Sequence, residues 1–256
     1  MKRIVYACPV DWRWIKQRPQ FLAEELSKYF DVHVIYPFSK NRRGLQKKVN
    51  DRIKKTPYFS IPTLNGRIHI AEKINKFLVR IQIERVINKK KPDILWIALP
   101  EQEMSIPKGY KGKVVYDCMD DYAAFNEGNI RQADVIRMEE NLIRRADLVF
   151  ASSENLKRRL CQRYDLRSEK IVLIRNGFHD EWSLAQEMKE SDTGLKIGYF
   201  GTISHWFDFD LLMNNLDKRS DVEYHLYGPL AKGVEIPQHS RIIYHGVVEH
   251  DEIRNK

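Results

Sequence analysis

Short β-rich runs alternate with amphipathic helical stretches along this sequence, and that alternation admits few folds: an open parallel sheet covered by helices. Lys2–Cys8 reads as the first strand and Arg18–Tyr29 as a helix, with Phe21, Leu22 and Leu26 on one face. Val32–Tyr36 is a second strand, and Tyr58–Ile61 a short one beyond a basic, polar stretch. Ala71–Val86 reads as a helix, since Ile74, Phe77, Leu78 and Ile81 recur at three- and four-residue spacing. Ile94–Ala98 is apolar throughout, the mark of a strand buried on both faces. Further strands fall at Lys113–Tyr116, Leu148–Ala151 and Lys170–Ile174, with helices over Ile130–Arg145 and from Glu154. Ser152 or Ser153 caps the latter helix. Asn176-Gly177 marks the turn out of this sheet.

The pattern then restarts. Residues 183–194 are polar and read as a linker between a first domain, 1–182, and a second, 195–256. The second contains strands at Leu195–Phe200, Val222–Tyr227 and Arg241–Val247 and a helix at Phe209–Leu216. Asp251 stands where it would cap a further helix. The fold class expected is α/β: a Rossmann-like parallel-sheet domain followed by an incomplete second one, because a whole domain of this kind takes roughly 150 residues.

Composition excludes several classes. At 43% hydrophobic, 256 residues supply a core for one large or two modest domains. No stretch is long and apolar enough to cross a bilayer, and MKRIVYACPV followed by WRWIKQRP lacks the pattern of a signal peptide, so a cytoplasmic location is expected. Cys8, Cys118 and Cys161 form no CxxC and no cluster with histidine, which argues against structural zinc and disulfides. The net charge of +9 is concentrated in Lys40–Lys55 and Lys89–Lys91. Such runs attract anionic lipid or phosphorylated substrates, or simply form a solvated face. Nucleic acid is not expected, because aromatic residues are not interleaved with the cations. Neither βα turn, CPVDWRW or GTISHW, carries GxGxxG, which excludes a nicotinamide dinucleotide site of the usual type.

Several ordered segments carry a resemblance. The string Trp12-Arg13-Trp14-Ile15-Lys16-Gln17-Arg18-Pro19-Gln20 follows the first strand. Val115-Tyr116-Asp117-Cys118-Met119-Asp120-Asp121 with Phe125, Arg145–Ser153, and Ile174-Arg175-Asn176-Gly177 come next. Ile197–Asp208 opens the second domain and Leu226-Tyr227-Gly228-Pro229 follows. Together they resemble family-four glycosyltransferases of GT-B fold, especially those of teichuronic-acid and capsular-polysaccharide biosynthesis.

The resemblance implies a retaining, metal-free transfer of a sugar from a nucleotide-sugar donor to a glycan or lipid-linked acceptor, with no cofactor. It implies an acceptor-side first domain, a donor-side second domain, and peripheral contact with the inner face of the membrane as an open option. On that basis Asp120 and Asp121 are candidate catalytic residues, as carboxylates that orient or deprotonate an acceptor hydroxyl. Capping of a turn is their alternative, and Asp117 reads as structural. Trp14, Lys16, Gln17, Arg18 and Asn176 are acceptor-binding candidates, with Trp12 a further ring for stacking on sugars. Gly201, Thr202 and His205 are donor-binding candidates, the glycine letting backbone N–H groups approach a diphosphate ahead of a helix N-terminus.

Thr202 and Phe207 stand where typical members of the family have arginine and lysine. The family's acidic pair would lie beyond Lys256, so the second domain is expected to be truncated. The alternative function is a non-catalytic relative that binds glycan or a partner.

Overall fold

The computed structural model describes residues 1–14, 16–39, 53–61, 69–126, 131–177 and 194–248. The chain divides into two compact units, Met1–Gly177 and Phe178–Lys256. The expected linker, apart from Gly194, lies outside the described residues, as do Asp251 and positions 40–52 of the basic stretch.

The first unit is a seven-stranded sheet of β1 (Arg3–Ala7), β2 (Asp31–Pro37), β3 (Lys54–Tyr58), β4 (Ile94–Ile97), β5 (Lys113–Cys118), β6 (Leu148–Ala151) and β7 (Ile171–Leu173). Its order is β3-β2-β1-β4-β5-β6-β7 and every pairing is parallel. Among the described residues five α-helices accompany it: α1 (Arg18–Leu26), α2 (His69–Lys90), α3 (Tyr122–Phe125), α4 (Gln132–Arg145) and α5 (Glu154–Tyr164). Strand order reverses between β1 and β4, the place where open α/β sheets leave a crevice at the strands' carboxyl ends.

Both faces of the sheet are apolar, as a parallel sheet requires. Val5, Ala7, Ile97, Tyr116 and Val149 pack on one side with Ile83 and Ile87 of α2, Leu142 of α4 and Leu156 and Leu160 of α5. Ile4, Tyr6, Val34, Trp96 and Phe150 pack on the other with Trp12 and Ala23 of α1. There Tyr6 stacks on Trp96 at 5.7 Å between ring centroids, and Trp96 meets Phe150 at 5.4 Å.

α3 was not expected from the sequence, and β3, α1 and α2 differ most from their expected bounds. β3 runs Lys54–Tyr58 rather than Tyr58–Ile61, because an edge strand tolerates lysines where an inner strand would not. α1 stops at Leu26, and the residues expected to extend it turn more tightly: Lys28 N–H bonds Glu25 O and Tyr29 N–H bonds Leu26 O, both across three residues. α2 continues to Lys90, beyond the end of its apolar periodicity. Lys89 and Lys90 suit the negative end of the helix, and Lys91 turns it off at φ 45° before Pro92.

The second unit is smaller. β8 (Leu195–Phe200), β9 (Val222–Tyr227) and β10 (Ile242–Gly246) form a parallel sheet in the order β10-β9-β8. Leu212 and Leu216 of α6 (Phe209–Lys218) pack with Val222, Tyr224 and Leu226. The loops after β8 and β9 touch through Gly228, whose φ is +134°. A Cβ there would lie 1.9 Å from the Gly201 carbonyl oxygen, so steric contact and backbone conformation both demand glycine. Gly228→Ala should therefore destabilise the second unit by about 3 kcal/mol or more. Urea unfolding followed by near-UV circular dichroism checks this; a wild-type midpoint would contradict the close contact.

Candidate functional site

At the carboxyl ends of the first unit's strands, one buried ion pair gathers three parts of the chain. Asp117 points inward from β5 in an apolar strand and its side chain is fully buried, which a carboxylate tolerates only with a partner. That partner is Arg18, at the first turn of α1, 2.8 Å away from Nη2 to Oδ1. Arg18 Nε lies 3.3 Å from both carboxylate oxygens. Its Nη1 donates to the Arg175 carbonyl at 3.3 Å and to Asn176 Oδ1 at 3.1 Å. The head of α1, β5 and the loop after β7 are thus held together at one end of the sheet.

Asp120 and Asp121 lie on the loop that leaves β5, and the fold gives them opposite surroundings. Asp121 takes the capping role: its Oδ1 accepts from Ala124 N–H at 3.2 Å, and Arg159 and Arg163 of α5 pair with it at 3.1 and 2.8 Å. Burial pushes its carboxyl up, but the bonds from Arg159, Ala124 N–H and Arg163 outweigh that and hold it below the ordinary value. Asp120 is anchored through its backbone carbonyl, which accepts from Tyr122 N–H at 3.0 Å. Desolvation by the surrounding protein raises its carboxyl above the ordinary value, although the residue as a whole reaches solvent. Ser153 caps α5 through Leu156 N–H, while Ser152 donates to the Met119 carbonyl at 2.6 Å and pins the same loop from β6.

The acceptor-side candidates are distributed unevenly. Trp12 is 1% exposed and packs in the core, so it offers no ring for a sugar to stack on. Trp14 is half-buried and Gln17 exposed. The Gln17 N–H donates to Gln20 Oε1 at 3.0 Å at the head of α1. Lys16 is paired with Glu24 at 2.7 Å and lies over the Phe21 ring. Arg18, an acceptor-binding candidate, is paired with Asp117. Asp11, 1% exposed, accepts from Arg13 and from Ser39 N–H, locking the loop after β1 to that after β2.

Residues 20–182, more than half of the chain, match Glycosyltransferase Family 4. The chain belongs to glycosyltransferase family 4. Among solved structures, sucrose-phosphate synthase from Thermosynechococcus elongatus superposes with a TM-score of 0.71 at 10% identity, over 99% of this chain and 72% of that one. The MnaA–UDP structure from S. aureus gives 0.59 at 16% identity, over 100% and 71%. An E. coli structure described as trehalose-6-phosphate bound with UDP-2-fluoro glucose gives 0.62 at 10% identity, over 94% and 73%. Such identities speak for the fold, and the fold is GT-B. No curated protein matches the chain in sequence.

In the second unit of this glycosyltransferase two features expected to receive a diphosphate are engaged within the protein. Gly201 N–H is already bonded to the Tyr227 carbonyl at 3.0 Å. The helix that follows is not open to an anion either: Asp208 caps α6 through Leu211 N–H at 2.8 Å, setting a carboxylate at its positive end. Thr202 and His205 are exposed, and His205 Nδ1 lies 3.3 Å from Ser204 Oγ.

Sequence reasoning read Asp117 as structural without naming Arg18 as its partner, and missed Arg159 and Arg163. The signal for Asp117 was present as a carboxylate inside an apolar strand, VVYDC. The two arginines gave none, since an α5 cation reaches Asp121 only through tertiary packing.

Asp117→Asn removes one charge of the buried pair and should cost roughly 3–5 kcal/mol in urea unfolding. The adjacent aspartates should respond oppositely. Asp121, with its folded-state pKa depressed, contributes stability above its unfolded pKa and loses it as the pH falls through the folded value. Asp120, with its pKa raised, contributes stability below its unfolded pKa and loses it as the pH rises through the folded value. At pH ~7, Asp121→Asn should cost about 1 kcal/mol, a deficit that narrows as the pH is taken below about 4. Asp120→Asn should leave stability equal or higher. Unfolding curves of both variants at the two pH values decide the matter.

Proposed function

We propose that this chain transfers a glycosyl unit from a nucleotide-sugar donor to a hydroxyl of a glycan or lipid-linked acceptor of the cell surface, with retention and without a metal. The observation that carries the reading is the match of residues 20–182 to glycosyltransferase family 4. The GT-B structures described with UDP and with UDP-2-fluoro glucose support a uridine-diphosphate sugar as donor. In the first unit Asp120 is the carboxylate we assign to the acceptor hydroxyl. Its carboxyl is raised above the ordinary value, it makes no ion pair among the described residues, and it sits on a loop braced by Ser152 and Asp121. A carboxylate with a raised pKa serves better as a proton acceptor than one held by two arginines. Trp14, Lys16, Gln17 and Asn176 are assigned to the acceptor, and Thr202 and His205 to the donor.

An exposed apolar patch supports an acceptor held at a membrane. Phe59 (52% exposed), Ile61 (46%), Ile74 (44%) and Phe77 (62%) are large hydrophobic side chains on the surface. Asn75 ties the Ile61 backbone to α2 through two bonds of 2.6 Å. Exposed Lys73, Lys76 and Arg80 lie on the same helix, suiting an anionic bilayer. The engaged Gly201 amide and the Asp208 cap favour one other reading, a non-catalytic glycan-binding relative.

Titration calorimetry with UDP and GDP, followed by transfer from UDP-glucose and UDP-N-acetylglucosamine to polyprenyl-phosphate-linked sugars in anionic vesicles, separates the two. The enzyme reading expects nucleotide binding and turnover, a fall of about 100-fold or more in Asp120→Asn, and lower turnover with vesicles alone in Phe77→Glu. Glycan binding with neither nucleotide binding nor turnover supports the non-catalytic reading and defeats the first.

A further inference from the structure

At the opposite, amino-terminal edge of the first sheet a cleft opens between β1, β2, β3 and the end of α2. Arg3, Asp31, His33, Lys54 and Lys90 line it, above a floor of Ile4 and Val5. The parallel register brings them together: Arg3 lies beside Asp31, Val5 beside His33, and His33 beside Lys54. The enclosed space, about 20 Å³, admits one water-sized group beneath an open mouth.

His33 is the unusual member. It is 8% exposed, and Nε2 lies 2.8 Å from Thr56 Oγ1, while the buried Nδ1 has no hydrogen-bond partner. In the tautomer in which Thr56 donates to Nε2, the ring proton sits on Nδ1 as an unspent donor. Burial, then Lys90 and Lys54, push the imidazole down to about 4 against the opposing pull of Asp31, so the ring is neutral near pH ~7. The cations around it are only lightly committed. Lys54 Nζ is 4.0 Å from Asp31 Oδ1, with both side chains largely exposed. Arg3 donates Nη1 to the Lys90 carbonyl at 2.9 Å, which also blunts the negative end of α2.

We infer that this cleft binds a phosphate group, one oxygen entering to accept from His33 Nδ1 while Arg3, Lys54 and Lys90 meet the remaining oxygens at the mouth. Three cations against one carboxylate set the sign of the ligand, and a tetrahedral oxyanion supplies both a single penetrating oxygen and several outer ones. The source is free phosphate or the phosphate monoester headgroup of a lipid. The site stands at the other edge of the sheet from Asp120, so it does not depend on the function proposed above.

The test follows the His33 side-chain ¹⁵N and ¹H signals in the purified whole chain at pH ~7.5. Sodium phosphate is titrated against sodium chloride at matched ionic strength. Parallel samples carry phosphatidylcholine vesicles with and without phosphatidic acid. Lys54→Ala/Lys90→Ala, both surface changes, is the control variant, its fold checked by thermal melting. A saturable shift with phosphate, weakened about tenfold or more in the variant, supports the site with free phosphate as ligand. A shift only with phosphatidic acid vesicles, lost in the variant, supports it with the lipid as source. No response to either, as a trapped water on Nδ1 would give, or a response retained in the variant, overturns it.

Discussion

A carboxylate in the middle of a sheet that is apolar on both faces has one tolerable arrangement, and the loops of the first unit are organised around it. Asp117 is sealed from solvent, and Arg18 comes from the head of α1 to neutralise it. Because the same guanidinium also holds the Arg175 carbonyl and Asn176, the pair ties the head of α1 to β5 and to the loop after β7. Breaking a buried pair costs far more than losing a surface one, so the geometry beside Asp120 and the stability of the unit are coupled. Asp121 extends the bracing outward through Arg159 and Arg163. Arg163 also lies 3.6 Å from Glu139, a buried carboxylate that accepts from Tyr116 and Tyr164 at 2.6 Å each. The loop that carries Asp120 is therefore tied into the core from two sides, while Asp120 itself is left unpaired by any described residue.

The second unit is built more sparingly. Three strands and one helix bury a small apolar face, and the contact of Gly228 with Gly201 fixes the two loops at the carboxyl end of its sheet. The other side of this sheet carries a row of stacked rings. Phe200 meets Tyr227 at 4.7 Å, Tyr227 meets His245 at 4.2 Å, and His245 lies over His225. The Gly201 turn, a donor-side candidate, also serves packing. Its amide belongs to the ladder with β9, and its position is set by the neighbouring glycine.

Much of the fold was legible beforehand, because hydrophobic period and strand–helix alternation are local properties that the parallel sheet requires. The strands around Ile94–Ala98 and Leu148–Ala151 fell where the apolar runs stood. β3 was misplaced because an edge strand exposes lysines that read as loop, and α2 was cut short because its last turn is held by charge rather than by apolar spacing. The site was less legible. The sequence singled out the Trp12–Gln20 loop and Asp120-Asp121, and both lie at the carboxyl edge of the sheet. It could not say that Trp12 is core, that Arg18 is already neutralised, or that of two adjacent aspartates one is a cap.

The sequence by itself determined the parallel architecture, the division into two Rossmann-like units and the family, since all three rest on patterns carried along the chain. Tertiary structure alone decided which charges are spent. Asp117, Asp121 and Asp208 are occupied by partners that lie from 3 residues away in the helix turn Asp208 caps to 99 residues away in the Arg18 pair. Among the described residues, Asp120 has no ion-pair partner and His33 Nδ1 has no hydrogen-bond partner. A titratable group's chemistry depends on the charges and solvent within a few ångströms, and only the folded chain sets those distances.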